Sequence, residues 1–112
     1  MIALTRRYAF PAAHVLRHPS LGDAENRRIY GKCANPAGHG HNYGIEVTVS
    51  GPQDAQTGRI LDPERLDGLV QERVLARFSH RMLNLDPAFA EWVPTAENIA
   101  RVVYSELARE LP

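Results

Sequence analysis

Apolar and polar residues alternate from Ile2 to Phe10, with Ile2, Leu4, Tyr8 and Phe10 on one side and Ala3, Thr5, Arg7 and Ala9 on the other. A period of two over this length predicts a half-buried β-strand. Arg6 interrupts the apolar side. The same parity runs on through Ala12 to His14, provided the strand passes Pro11 at an edge or a bulge. Between residues 15 and 38 the pattern dissolves into a stretch rich in Gly, Pro, Asn and Asp, a long irregular excursion of the kind that often carries function. Alternation resumes over His39 to Ser50 as a second strand. Ile45, Val47 and Val49 share a face with His39, His41 and Tyr43, while Glu46, Thr48 and Ser50 point the other way.

The period then lengthens to that of a helix. Asp62 and Pro63 form an N-cap and first-turn pair, and Leu66, Leu69, Val70 and Val74 make an apolar stripe reaching about Phe78. Thr95 is the predicted cap of a second helix, which carries Ile99, Val102, Val103 and Leu107 and stops before Pro112. Ser79 to Pro94 is a connector with a turn at Asp86-Pro87. Two strands and two helices cover too little apolar surface to be stable alone. The expected single domain, residues 1–112, therefore needs more sheet, both from a further hairpin after Pro112 and from neighbouring subunits.

Composition narrows the functional classes. The chain has 112 residues, and its 13 basic side chains balance 13 acidic ones, so it lacks the basic excess of a nucleic-acid or membrane-surface binder. The charge-free run Tyr8 to Leu16 contains Pro11 and His14 and is too short to span a bilayer. A single cysteine, Cys33, excludes an internal disulfide and a CxxC zinc knuckle. These features predict a soluble, cytoplasmic domain.

Histidines supply the candidate chemistry. His39 and His41 flank Gly40, so on a strand their imidazoles share one face, roughly 7 Å apart at the Cα atoms. An HxH pair alone also describes two exposed loop histidines. His14 continues the inward parity of the first strand, and a third nitrogen from there would leave zinc one open position, the pattern of a catalytic site. Gly38, Gly40 and Gly44 would let backbone crowd close. Cys33, six positions before His39, has three readings: a small buried hydrophobe, a fourth ligand closing a structural site, or a thiolate base beside open zinc. His80 reads either as a surface or capping histidine or as a participant in chemistry. Arg27, Arg28 and Lys32 are a solvated charged loop or a patch that steers a polyphosphate.

Four separated motifs then carry a family resemblance through the whole chain, in order. Gly31-Lys32-Cys33-Ala34-Asn35-Pro36-Ala37-Gly38-His39-Gly40-His41-Asn42-Tyr43 resembles the cysteine and zinc loop of the 6-pyruvoyl-tetrahydropterin synthases. Phe10-Pro11-Ala12-Ala13-His14 resembles their first-ligand segment. Ser79-His80-Arg81-Met82-Leu83-Asn84-Leu85-Asp86 is similar to their Asp-His catalytic segment, and Pro94-Thr95-Ala96-Glu97-Asn98 to their Thr-Glu-Asn helix start. The family also includes the 6-carboxytetrahydropterin synthases of queuosine biosynthesis.

The resemblance implies an α+β tunnelling fold: an antiparallel four-stranded sheet with two helices on one face, subunits joining edge to edge into a barrel, and trimer rings stacking into a hexamer. The implied substrate is 7,8-dihydroneopterin triphosphate, with Zn2+ on His14, His39 and His41. Cys33 would accept a proton, His80 from a neighbouring subunit would relay it, and Thr95 and Glu97 would hold the pterin. Two departures stand out. Ser79 replaces the family's relay aspartate, and the pterin-anchoring glutamate belongs to a final hairpin that lies beyond Pro112 and is expected to be absent from this chain. Three functions follow as expectations: the pyruvoyl-type lyase, the carboxy-type enzyme, and a pterin-binding or structural zinc module without turnover.

Overall fold

The computed structural model describes residues 1–111; Pro112, the expected stop of the last helix, lies outside the described residues. Strands β1 (Ile2–His14) and β2 (His39–Gly51) pair antiparallel in full register from Ile2↔Gly51 to His14↔His39. The strand passes Pro11 without a bulge, for a reason visible in its hydrogen bonds. The Pro11 carbonyl accepts from the His80 N–H at 2.6 Å and the Ala13 N–H donates to the Arg81 carbonyl at 2.9 Å, so odd-numbered residues turn their main-chain groups away from β2. The N–H that proline lacks therefore falls on the outer edge, where no ladder bond is lost.

Arg6, the charged residue on the apolar side of β1, is a docking contact. Its guanidinium donates two bonds of 2.8 Å to Asp67, and the Tyr8 hydroxyl donates to the same carboxylate at 2.6 Å. Asp67 lies on α2 (Pro63–Val70), which starts where expected: the Asp62 side chain accepts from the Glu64 N–H and Pro63 fills the first turn. Helical chain continues through a π turn (Gln71–Leu75) into α3 (Ala76–Phe78), an irregularity the stripe reading missed. Leu66, Val70, Val74 and Phe78 are spaced by fours and are all essentially fully buried. In a pure α-helix each step of four residues overshoots one turn by about 40°. The wider π turn takes up that drift and keeps all four on the core face.

Residues 15–38 are not irregular throughout. They hold α1 (Asp23–Tyr30) and a short 3-10 turn (Gly31–Ala34) containing Cys33. Buried Asn26 anchors this helix, its side chain accepting from the His18 N–H and donating to the His18 and Leu21 carbonyls. Helix α4 (Ala96–Ala108) is capped by Thr95, whose hydroxyl accepts from the Asn98 N–H at 3.2 Å. Its Ile99, Val103 and Leu107 close the core over Phe10, Ala12, Val47 and Val49 of the hairpin.

The described residues form a two-stranded antiparallel sheet with helices packed on one face, as the tunnelling fold requires. The radius of gyration is 16.8 Å, against about 13 Å for a compact domain of this length. The long hairpin extends beyond the helices that cover it. None of the described helices is long and apolar enough to cross a membrane.

Candidate metal centre

The cross-strand register brings the three histidines together. His14 stands opposite His39 and Ala12 opposite His41, all on the helix-facing side. One ring nitrogen from each of His14, His39 and His41 lies within 4.8 Å of the others. The Nε2 atoms of His14 and His39 are 3.0 Å apart, and the three rings meet edge to face with centroids separated by 4.5 to 5.0 Å. Two nitrogens on a tetrahedral zinc, at roughly 2.0–2.1 Å each, would be about 3.3 Å apart. The triad's spacing therefore fits a single ion.

Backbone fixes the orientation of His14. Its Nδ1 is 2.9 Å from the Pro94 carbonyl, which can only accept, so Nδ1 carries the proton and the Nε2 lone pair faces the other two rings. Burial pushes the His14 pKa down, against the Pro94 hydrogen bond, and the charges of His39 and His41 push it the same way as burial. The neutral, ligating form is thus favoured. His39 presents Nε2 to His14, while its Nδ1 is buried with no hydrogen-bond partner among the described residues.

Of the three glycines expected to allow close approach, Gly38 alone is crowded. Its φ is +79°, and a Cβ there would meet Met82 Cε at 2.7 Å. Gly40 and Gly44 have room for a side chain.

Tyr43 is a neighbour the sequence reading placed on the face but gave no role. Its ring stacks on Phe10 at 5.4 Å and lies 5.7 Å from His14 and 5.6 Å from His41. The hydroxyl is buried and unpartnered among the described residues, and burial first, then the Cys33 charge, push its pKa up to about 12. Cys33 itself is half-buried and free, and its carbonyl accepts from the Leu16 N–H at 2.7 Å, which ties its loop to the end of β1.

The remaining candidates are dispersed. No hydrogen bond joins Cys33 to His80 within the described residues. His80 is exposed beside a cleft with Asn42 and Arg81, and its φ of +59° is left-handed. A side chain pays strain in that region. His80→Gly is accordingly expected to raise stability by about 1 kcal/mol in a denaturant melt, whereas His80→Val should lower it. Thr95 follows Pro94 at the rim of the triad and Glu97 is exposed on the first turn of α4. Asp86 grips Arg77 through two bonds of 2.9 and 2.7 Å and accepts from the Ala88 N–H, so its carboxylate is already engaged. Arg17, Arg27 and Lys32 line a separate cleft, with Arg17 paired to Asp23, while Arg28 pairs with Glu25.

The chain is similar to known proteins over nearly its whole length. A family profile described as 6-pyruvoyl tetrahydropterin synthase matches residues 3–112. A Poecilia reticulata protein named 6-pyruvoyl tetrahydrobiopterin synthase is 42% identical over 110 residues, which are 97% of this chain and 75% of the relative. The solved structure of Caenorhabditis elegans 6-pyruvoyl tetrahydropterin synthase superposes with a TM-score of 0.92 at 36% identity, covering 98% of this chain and 79% of that one. An Archaeoglobus fulgidus protein, provisionally named 6-carboxy-5,6,7,8-tetrahydropterin synthase, is 39% identical over 72 residues, 64% of this chain and 57% of its own.

Proposed function

The chain belongs to the 6-pyruvoyl tetrahydropterin synthase family, and we propose on that footing that it is a zinc-dependent lyase releasing triphosphate from 7,8-dihydroneopterin triphosphate. The observation that carries the zinc is the convergence of His14, His39 and His41, with His14 oriented by the Pro94 carbonyl. Zinc held there would polarise the hydroxyls of the substrate side chain. Cys33 takes a proton from the side chain and His80 passes it on, while the C–O bond to triphosphate breaks. The side chain then rearranges internally with no external oxidant. Thr95 and Glu97 hold the pterin, and the cleft of Arg17, Arg27 and Lys32 favours an incoming polyphosphate.

No hydrogen bond joins Cys33 to His80 among the described residues; in this reading the relay joins them across a subunit boundary, and the active form is a homo-oligomer. Two features support this reading: the extended hairpin, and an open groove of about 750 Å³ between β2 and α4. A working thiolate also suits the reducing cytoplasm. The test is incubation of zinc-loaded protein with the triphosphate substrate, following released triphosphate and the product mass. The Archaeoglobus relative favours a second reading, the carboxy-type reaction. A product that keeps its three-carbon side chain supports the pyruvoyl reaction, loss of acetaldehyde supports the carboxy one, and no turnover leaves a binding module.

Ser79 stands where a carboxylate would orient and charge His80, and Asp86 is engaged elsewhere. Ser79→Asp is therefore expected to raise the rate of triphosphate release by about tenfold at matched zinc content. An unchanged or lower rate would mean that another acid, from across the boundary, already serves.

A further inference from the structure

We propose that Asn84 is a positioning residue that holds the ligand His14 and the segment carrying His80 together as one unit. The inference rests on the reading of His14 as a zinc ligand and of His80 as the relay. After α3 the chain runs along the outer edge of β1. The His80 N–H donates to the Pro11 carbonyl, the Arg81 carbonyl accepts from the Ala13 N–H, and Met82 bridges Ala13 in parallel. The main chain then coils into the 3-10 turn Leu83–Leu85, and at Val15 a side chain takes over the pairing. Asn84 Oδ1 accepts from the Val15 N–H at 2.8 Å, and Asn84 Nδ2 donates to the Val15 carbonyl at 2.9 Å. A carboxamide carries the same acceptor and donor groups as a peptide, so it can continue the edge where the backbone has left it.

Val15 is a junction of the candidate site. Its N–H belongs to the peptide that links His14 to Val15, so the Asn84 bond fixes the backbone of the ligand while the Pro94 carbonyl orients its ring. The next residue, Leu16, donates to the Cys33 carbonyl. The same segment presses on the other strand as well. A Cβ at Gly38, the residue before His39, would lie 2.7 Å from Met82 Cε and 3.4 Å from Val15 Cγ2. Arg77 and Asp86 close the two ends of the segment through their paired hydrogen bonds, with His80 inside the loop. An aliphatic residue at position 84 would leave both Val15 groups without these partners and the segment free to shift on β1.

Asn84→Ala is expected to weaken zinc binding about tenfold, read by competition with a chromophoric chelator. At saturating zinc it should lower kcat for triphosphate release about tenfold and leave KM within about twofold, because orientation is lost and substrate binding is not. Asn84→Asp keeps the acceptor for the Val15 N–H and loses the donor, so it should regain part of both losses. Asp67→Asn, which loosens the contacts with Arg6 and Tyr8 away from the metal centre, is the control for lost stability. It should lower the melting temperature and leave zinc affinity and kcat at their native values. The same native values in Asn84→Ala, with only the melting temperature lowered, would overturn the proposal. If Asn84→Ala does not fold, Asn84→Asp decides in its place, since native zinc affinity and kcat there would overturn the proposal equally. Zinc affinity lowered with kcat native would overturn the part that concerns His80. The chelator titration needs no turnover, so it separates this proposal from the lyase reading. Weakened zinc in Asn84→Ala beside a native protein that releases no triphosphate keeps the positioning of His14 and removes the reaction.

Discussion

Cys33→Ala is expected to abolish triphosphate release, by about a thousandfold or more, while leaving one zinc per chain in place. Removing a general base from a proton-abstraction step costs on the order of 10²–10⁴ in rate. The metal should survive because the cluster of convergent donor atoms is His14, His39 and His41 without Cys33. Three neutral nitrogens leave the fourth position open, as catalysis by bound zinc requires. Metal analysis beside the activity assay is the decisive pair of measurements. Zinc lost together with activity would point to a closed, four-ligand structural site, and the proposed chemistry would then have no open coordination position.

His14→Ala should have the larger effect on the protein as a whole. Zinc affinity is expected to fall by well over about a hundredfold, more than the loss of a partner outside the ligand shell would cause, and turnover should fall with it. Stability suffers too, since His14 is almost wholly buried and its removal leaves the Pro94 carbonyl without its donor. Titration of the native protein gives an independent check. Burial holds the His14 pKa below its unfolded value near 6.5, so the folded state binds fewer protons. Its contribution to stability is complete above about pH 6.5 and is lost as the pH falls through the depressed folded value. Zinc release should follow the same direction, because protonated imidazole does not ligate. A melting temperature that rises with added zinc at pH 7.5, and no longer does so at pH 5, is the expected result.

Much of this centre could be read from residues alone because it depends on parity. Once β1 and β2 are recognised as strands, period two puts His14, His39 and His41 on inward faces, and the hairpin register does the rest. The helices were equally legible from their stripes and caps, since Asp62 and Thr95 accept the bonds that their types predict. What escaped depends on contacts with no local period. Helix α1 is held by a buried asparagine among polar neighbours, although acids in its first turn and arginines in its last were a dipole signal available in the sequence. The π turn left a trace as well, in four core residues spaced by fours. The Tyr43 hydroxyl left none, because a tyrosine on a buried strand face looks like core until its neighbours are placed.

The hydrogen bond that orients His14 ends on a main-chain oxygen, and this has a consequence for inheritance. Every amino acid brings a carbonyl, so no substitution at position 94 removes the acceptor itself, and a scan there reads the packing of the fully buried Pro94 ring rather than the contact. Sensitivity should instead surface at Asn98, whose side chain donates to the Val93 carbonyl at 2.8 Å and pins the peptide beside it. The same holds for Thr95, whose hydroxyl starts the helix from which that segment hangs. Selection acts on the orientation of the histidine through the residues that hold this peptide in place.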